Sequence, residues 1–294
     1  MTAPFEQLGL IGCGLMGGSF ALALKRAGLV KRVVGYSKSP STTEQARRMG
    51  VIDVEAPSAL LAVAGADLVL LAVPVAATGP TLKAIRHLVT PQMLVMDVGS
   101  TKADVVEAAR DALRDQIGSF VPAHPIAGAE TAGVGQARAE LYQDRQVILT
   151  PIERTRTALL QRAADTWKAI GCRVRQMSPE SHDAALAAVS HLPHLLAFAA
   201  FNAVAGQPSG NVFLDLAGPG FRDFTRIAAS NPPMWRDILL ANRTELRRQS
   251  DAFRAALDQL EAAMARGDAS ALEALIAQAS AGRGGWQMTT AKTD

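Results

Sequence analysis

The sequence is poor in cysteine, with only Cys13 and Cys172 among its 294 residues. Their spacing matches no metal-ligand motif, and two isolated thiols do not make a disulfide framework. We therefore expect two free thiols in a reducing compartment and no bound metal.

Long apolar runs and an excess of charge of one sign are also missing. No apolar run reaches the ~18 to 20 residues that a membrane-spanning helix requires, and no basic segment precedes the first apolar stretch, so we expect no signal peptide. The net charge is only +3, and the basic residues are dispersed. This argues against nucleic acid as a partner and is compatible with small anionic ligands. Together these absences predict a soluble, cytoplasmic protein.

Residues 1–177 alternate between strand-like and helix-like segments. Almost purely apolar strands such as residues 67–73 are typical of a parallel sheet that helices cover on both faces. The pattern predicts an α/β fold, a Rossmann-type doubly wound sheet, as the N-terminal domain. The predicted strands are residues 5–11, 32–36, 66–73, 93–98, 120–123, 145–150 and 172–177.

Residues 178–294 read almost entirely as helix and predict an all-α C-terminal domain. Ser178 and Pro179 look like the cap and first turn of a long helix that continues to residue 205. A second long helix is predicted from residue 232 or 233 to about residue 266. Along it, a seven-residue repeat of apolar side chains forms a seam that is either internal core or an interface between subunits. The seam consists of Leu239, Leu246, Phe253 and Leu260.

A glycine fingerprint follows the first strand and opens the first helix. Gly12 allows a tight turn, Gly14 lets a pyrophosphate approach the backbone, and Gly17 permits close packing of helix on strand. Leu15 and Met16 lie in the same turn, at the helix N-terminus that stabilises the anion. The segment predicts a dinucleotide site.

The residues after the second strand decide which nicotinamide dinucleotide is bound. NAD enzymes usually place Asp or Glu there to bind the ribose hydroxyls, but this chain has one lysine and several hydroxyls, which can hold a 2′-phosphate. We expect NADP, with NAD as the weaker alternative; a solvated turn without this role is the other interpretation. Further along, Val73 and Pro74 should lie close to the cofactor. The 2′-phosphate candidates are Ser37, Lys38, Ser39, Ser41 and Thr42.

Two further strand ends carry polar residues toward the same crevice. His124 follows the strand at residues 120–123 and is held by a proline, so it is placed to accept a proton beside the nicotinamide. A histidine that only caps the loop is the alternative. Ser100 and Lys102 follow another strand; Lys102 is a catalytic lysine, a residue on a helix face or a positioning residue.

The helical half adds a histidine pair and an arginine pair. His191 and His194 lie on one helix face, but no third metal ligand is near in sequence. Arg222 and Arg226 follow a glycine turn and suit recognition of a carboxylate, because a guanidinium pairs bidentately with that group. Ordinary ion pairs on a surface helix are the alternative.

Taken together, these stretches resemble the prephenate and arogenate (cyclohexadienyl) dehydrogenases of tyrosine biosynthesis. The resemblance spans about residues 5 to 280, and the histidine and arginine motifs are specific to that family. The matching segments are residues 12–19, 97–102, 124–130, 190–194, 218–226 and 233–235.

The resemblance implies an oxidative decarboxylation in which hydride passes to the nicotinamide and aromatisation drives the loss of carbon dioxide. It implies that His124 accepts the hydroxyl proton, that Ser100 fixes its geometry, and that Arg226 pairs with the ring carboxylate. His194 and Arg222 would hold the side chain of the substrate, which favours prephenate over arogenate; an enzyme that accepts both substrates, or arogenate alone, is the alternative. Further residues implied at the substrate or in gating are Glu130, Trp235, His191 and Asp223. The family also implies a homodimer formed through the helical domain.

Two other interpretations come from different classes of protein. A β-hydroxyacid dehydrogenase has the same fingerprint before a helical domain but depends on a lysine in that domain, and residues 177–291 contain no lysine. A sensor that binds NADP without turnover is the second, and it needs neither a base at a strand end nor a carboxylate-binding arginine.

Overall fold

The N-terminal half forms a six-stranded, all-parallel sheet in the order β3-β2-β1-β4-β5-β6. The computed structural model describes residues 5–128 and 133–287. Successive strands run outward from β1 in both directions, so the strand order reverses between β1 and β4, and a crevice opens there at the carboxyl edge. The strands are β1 Phe5–Ile11, β2 Val30–Tyr36, β3 Val54–Glu55, β4 Leu68–Leu71, β5 Leu94–Asp97 and β6 Phe120–Val121.

Helices cover both faces of this sheet, as the buried apolar strands require. All four residues of β4 and of β5 are buried, which is the pattern of a strand covered on two sides. The predicted Rossmann-type fold is therefore confirmed. The helices are α1 Leu15–Arg26, α2 Pro40–Arg48, α3 Ala59–Val63, α4 Val75–Ile85, α5 Ala103–Leu113 and α6 Thr157–Ala169.

A second, three-stranded sheet packs beside the first and corrects one prediction. Residues 120–123 were expected to form one strand, but the segment divides at Pro122 and enters two sheets. Proline has no N–H to donate to a ladder; the carbonyl of Pro122 instead accepts from the N–H of Thr150 at 3.0 Å. His124 therefore belongs to the small sheet. Its strands are β7 Ala123–Pro125, β8 Gln146–Leu149 and β9 Arg173–Gln176.

The C-terminal half is helical among the residues that the structure describes. Its first helix begins where expected, because the hydroxyl of Ser178 accepts from the N–H of Ser181, and it continues through a π-helical turn, Ala187–His191. The helices are α7 Pro179–Leu186, α8 Leu192–Ala205, α9 Gly210–Asp215, α10 Pro219–Thr225, α11 Pro232–Ala241, α12 Arg243–Ala265 and α13 Ala269–Gly285.

The second long helix of the prediction is in fact two helices, α11 and α12, which meet at Asn242. The buried amide of Asn242 donates to the carbonyl of Asp183 at 2.8 Å and lies 3.1 Å from Nδ1 of His191. The hydrogen bonds of the buried Asn242 side chain thus fix the point at which α11 ends and α12 begins. The seven-residue seam is divided as well, because Leu239 lies in α11 and its other three members lie in α12.

Much of the apolar surface of the helical half is left uncovered. Ala197 is the one fully buried residue of α8, and α13 has none. Contrary to the expectation from apolar runs, the continuous helix Pro179–Ala205 is long and apolar enough to cross a membrane, with 28% of its most apolar window buried. This helix therefore leaves much apolar area exposed in the single chain.

Candidate active site

The turn between β1 and α1 is shaped by three glycines with different surroundings. Gly12 has φ +99°, and a Cβ there would lie 2.2 Å from the carbonyl oxygen of Ala72. A Cβ on Gly17 would lie 2.1 Å from the carbonyl oxygen of Gly12, whereas one on Gly14 would meet nothing within 4 Å. Gly14 is also the N-cap of α1. The turn therefore has open space where an anion can reach a helix N-terminus, which fits the pyrophosphate of a dinucleotide.

The segment between β2 and α2 presents hydroxyls and one cation. Ser39 is the N-cap of α2, and its Oγ lies 2.9 Å from Oγ of Ser41. Ser37 and Thr42 are half-buried, Lys38 is exposed, and the first carboxylate after β2 comes only at residue 44. These groups can contact a ribose phosphate without repelling it.

The end of β5 is held by a buried ion pair between Asp97 and Lys102, both withdrawn from solvent. The same carboxylate accepts from the N–H of Gly99 at 2.8 Å and from that of Ala123 at 3.0 Å. Asp97 thus links the loop after β5 to β7, the strand of His124. Of the three roles considered for Lys102, burial and this ion pair favour the positioning role over a helix face.

His124 makes a hydrogen bond that crosses from the N-terminal half to the helical half. Its Nδ1 lies 2.8 Å from Nε2 of His182, and Nδ1 of His182 lies 2.7 Å from Oδ1 of Asp183. The Asp183 carboxylate also accepts from the backbone N–H groups of Lys102 and Ala103, each at 2.8 Å. His182 is completely buried, and Asp183 nearly so.

The surroundings determine which of these groups are charged. Burial, and then the proximity of His182, Lys102 and His191, hold the pKa of His124 well below its ordinary value, so the ring is neutral at pH 7. Burial opposes ionisation of Asp183, but the hydrogen bonds that it accepts outweigh burial and keep its pKa below the ordinary value. A neutral base thus lies near a charged carboxylate.

His191 lies in the π-helical turn and His194 in α8, and both are surrounded by other groups of the protein. Burial lowers the pKa of His191 to about 4. His194 stacks on Trp235 with ring centroids 3.6 Å apart, and its Nδ1 lies 2.9 Å from the carbonyl oxygen of Ser190. Within residues 5–128 and 133–287, no group of three or more His, Cys, Asp or Glu side chains is arranged to hold a metal ion.

Both arginines of the pair are exposed, but they act on different groups. Arg226, at the end of α10, lies close enough to His194 that its charge helps burial to lower the pKa of that histidine. Arg222 pairs with the neighbouring Asp223 at 3.0 Å.

Electrostatic effects extend from one end of the predicted site to the other. His191 helps to lower the pKa of His124, His194 that of His191, and Arg226 that of His194. Ser100 is half-buried in the loop after β5, whereas Val73 and Pro74 follow β4, with Pro74 capping α4. Glu130 lies outside the described residues.

Sequence reasoning missed three residues of this cluster: His182, Asp183 and Asn242. One signal was available, because Asp183 is the last charged residue before a stretch without Asp, Glu, Lys or Arg that extends to residue 214. A carboxylate and a histidine at the start of such an apolar segment indicate buried polar contacts. Asn242 carried no signal within an unbroken helical pattern.

Comparisons with known proteins agree with this architecture. A family profile described as "Prephenate dehydrogenase, nucleotide-binding domain" matches residues 20–176, and one described as "Prephenate dehydrogenase, dimerization domain" matches residues 178–278. A cyclohexadienyl dehydrogenase of Zymomonas mobilis is 39% identical, with 90% of each chain covered.

Two solved structures have similar folds. A prephenate dehydrogenase from A. aeolicus, in complex with hydroxyphenyl propionate and NAD+, has a TM-score of 0.89 at 33% identity, covering 96% of this chain and 99% of that one. The Synechocystis arogenate dehydrogenase has a TM-score of 0.81 at 29% identity, covering 95% and 99%.

The glycine turn generates a test with an internal control. Gly14→Ala should weaken binding of a nicotinamide dinucleotide, measured with NADPH, at least ~10-fold. It should cost under ~1 kcal/mol of unfolding free energy, since its methyl group enters open space at an N-cap. Gly17→Ala should instead lower the unfolding free energy by about 1 to 3 kcal/mol, because its methyl group meets backbone. Fluorescence titration and urea unfolding measure the two effects. Unchanged NADPH affinity in Gly14→Ala would place the cofactor elsewhere.

Proposed function

The chain belongs to the prephenate dehydrogenase family, and on that premise we propose that it converts prephenate to 4-hydroxyphenylpyruvate and carbon dioxide in tyrosine biosynthesis. The observation that carries the proposal is the neutral imidazole of His124 at the crevice. His191 lies within electrostatic range of His124, His191 and His194 both pack on the ring of Trp235, and the charge of Arg226 acts on His194. A base at one end of the cluster and a cation at the other suit a substrate that carries both a hydroxyl group and a carboxylate.

The chemistry assigned to His124 is temporary storage of one proton. When bound, the nicotinamide supplies the hydride acceptor. As hydride leaves the ring carbon, the neutral imidazole accepts the hydroxyl proton, so that the oxygen can form a carbonyl. The bond to the ring carboxylate then breaks, its electron pair completes the aromatic ring, and His124 returns the proton to the phenolic oxygen. Ser100, in the neighbouring loop, is proposed to orient the hydroxyl or the imidazole.

Substrate recognition is assigned to the helical half. Arg226 would pair with the ring carboxylate, while His194 and Arg222 would meet the side chain, with Trp235 stacked behind His194. Glu130 is retained as a candidate on the strength of the family resemblance alone.

The hydrogen bonding of His194 favours a second substrate, arogenate. A carbonyl oxygen only accepts, so Nδ1 of His194 must carry the proton that meets Ser190. In the neutral ring, whose pKa burial lowers, Nε2 is then an acceptor and suits the ammonium of arogenate. This acceptor supports activity on arogenate as well as on prephenate, and we propose both as substrates.

NADP is proposed as the preferred cofactor, with NAD as the weaker alternative. The support is the composition of the segment after β2, where hydroxyls and Lys38 occupy the positions in which NAD enzymes have a carboxylate. An acidic side chain there would repel a 2′-phosphate, whereas this segment offers hydrogen-bond donors and one positive charge.

The active form is proposed to be a cytoplasmic homodimer, with a dinucleotide-binding domain at residues 1–177 and a substrate-binding and dimerisation domain at residues 178–294. The support is the uncovered apolar surface of the helical half, which a second copy could bury. Phe201, Val212, Phe213, Leu216 and Phe224 are all exposed large apolar side chains. Patches of this kind mark association surfaces in soluble proteins.

Replacing the proposed base tests the reaction. His124→Asn should lower kcat for prephenate by ~10² to 10⁴-fold, with NADP binding unchanged, because the proton acceptor is lost.

Arg226→Gln should mainly raise KM for prephenate, by ~10 to 100-fold, as expected when one partner of a charge pair is truncated. NADPH absorbance reports both, and the exposed His87→Asn is the matched control. Full activity in His124→Asn would remove this residue from its role, and an inactive wild type on both substrates would favour an NADP sensor.

The cofactor assignment predicts a switch on Ser37→Asp. The new carboxylate should raise KM for NADP at least ~10-fold and lower KM for NAD, because it repels the 2′-phosphate and can bind the ribose hydroxyls. Ser58→Asp, which introduces the same charge at the N-cap of α3, serves as control. An unchanged ratio of kcat/KM for the two cofactors would make the segment an ordinary solvated turn.

The dimer predicts a different effect for one substitution in each half. Leu216 is 80% exposed and Leu61 is 53% exposed in the single chain. Leu216→Glu should shift the sedimentation coefficient from dimer toward monomer, because it places a charge in the proposed interface, whereas Leu61→Glu should leave it unchanged. A wild type that sediments as a monomer at micromolar concentration would contradict the proposal.

A further inference from the structure

The contacts around His182 determine where its proton lies. Oδ1 of Asp183 lies 2.7 Å from Nδ1 of His182, and an ionised carboxylate can only accept. Nδ1 of His182 must therefore carry a proton. A ring with that single proton accepts at Nε2, so the atom that Nε2 of His182 faces, Nδ1 of His124 at 2.8 Å, is then the donor.

The tautomer of His124 determines which of its ring nitrogens can accept a proton. With its proton on Nδ1, a neutral His124 has a free electron pair on Nε2, on the far side of the ring from His182. Building on the proposed function, we infer that His182 and Asp183 are positioning residues that hold His124 in the tautomer whose Nε2 can accept the substrate hydroxyl proton.

Both halves of the molecule fix this arrangement. The Asp183 carboxylate receives the N–H groups of Lys102 and Ala103, at the start of α5, where a helix has unsatisfied donors and a partial positive charge. The carbonyl of Asp183 receives the side-chain amide of Asn242. His182 therefore cannot turn without breaking contacts between the N-terminal and the helical half.

The tautomer can be measured in the wild-type protein without any substrate. Two-bond ¹H–¹⁵N correlation spectra distinguish protonated from unprotonated ring nitrogens, and His124→Gln assigns the signals of His124 by their disappearance. Near neutral pH we expect Nδ1 of His124 to be protonated and Nε2 to be free. A proton on Nε2 overturns the inference.

A pair of substitutions at His182 separates positioning from packing. The amide of His182→Gln can donate to Asp183 and accept from Nδ1 of His124, so kcat should stay within ~10-fold of wild type. His182→Phe keeps the volume but cannot accept, and kcat should fall by ~10² to 10⁴-fold with KM little changed, since a catalytic histidine in the wrong tautomer loses most of its rate. His87→Phe controls for the same exchange at an exposed site.

Equal losses in the Gln and Phe variants, or no loss in either, would contradict the positioning role. If His182→Phe does not fold, the wild-type spectrum and the kcat of His182→Gln still test the positioning role of His182. The proposed function fails separately: a wild type that reduces no NADP with prephenate or arogenate refutes the reaction, whatever the tautomer of His124.

Discussion

A carboxylate withdrawn from water needs donors to compensate for its lost hydration, and Asp183 obtains three from different parts of the chain. Two are backbone N–H groups at the start of α5, and the third is the imidazole of His182. Because α5 belongs to the sheet domain and Asp183 to the helical half, this set of bonds holds the two together beside the crevice. The orientation of His124 depends on that junction, since its ring partner is His182.

A second buried charge pair, Asp97 with Lys102, supports the same loop from the other side. Buried ion pairs contribute little net stability, because desolvation offsets their attraction. Their value here is geometric: Asp97 ties the loop after β5 to the strand of His124, and Lys102 donates its N–H to Asp183. The candidate catalytic groups are therefore held by polar bonds whose partners lie in several elements, as a preorganised site requires.

The sequence predicted those features that local patterns encode. Apolar strands alternating with helices predicted the doubly wound sheet, and the glycine spacing predicted the turn in which Gly14 has open space and Gly12 and Gly17 do not. The hydrogen bonds of His182 and Asp183 were not predicted, because their partners are far apart in sequence. His124 and His182 are separated by 58 positions, and Lys102 and Asp183 by 81. No periodicity reports such pairings. The break between α11 and α12 at Asn242 was not predicted for a related reason: it results from tertiary hydrogen bonds and not from a helix-breaking residue.

We propose that His124 presents a free Nε2 to the hydroxyl of a cyclohexadienyl acid. A crystal structure of the protein with NADP and hydroxyphenyl propionate, a phenolic product-like ligand, tests it most directly. We expect the phenolic oxygen at ~2.6 to 3.2 Å from Nε2 of His124, and the ribose phosphate against residues 37–42. A ligand whose hydroxyl faces away from His124, or a His124 ring turned so that Nε2 meets His182, would contradict it.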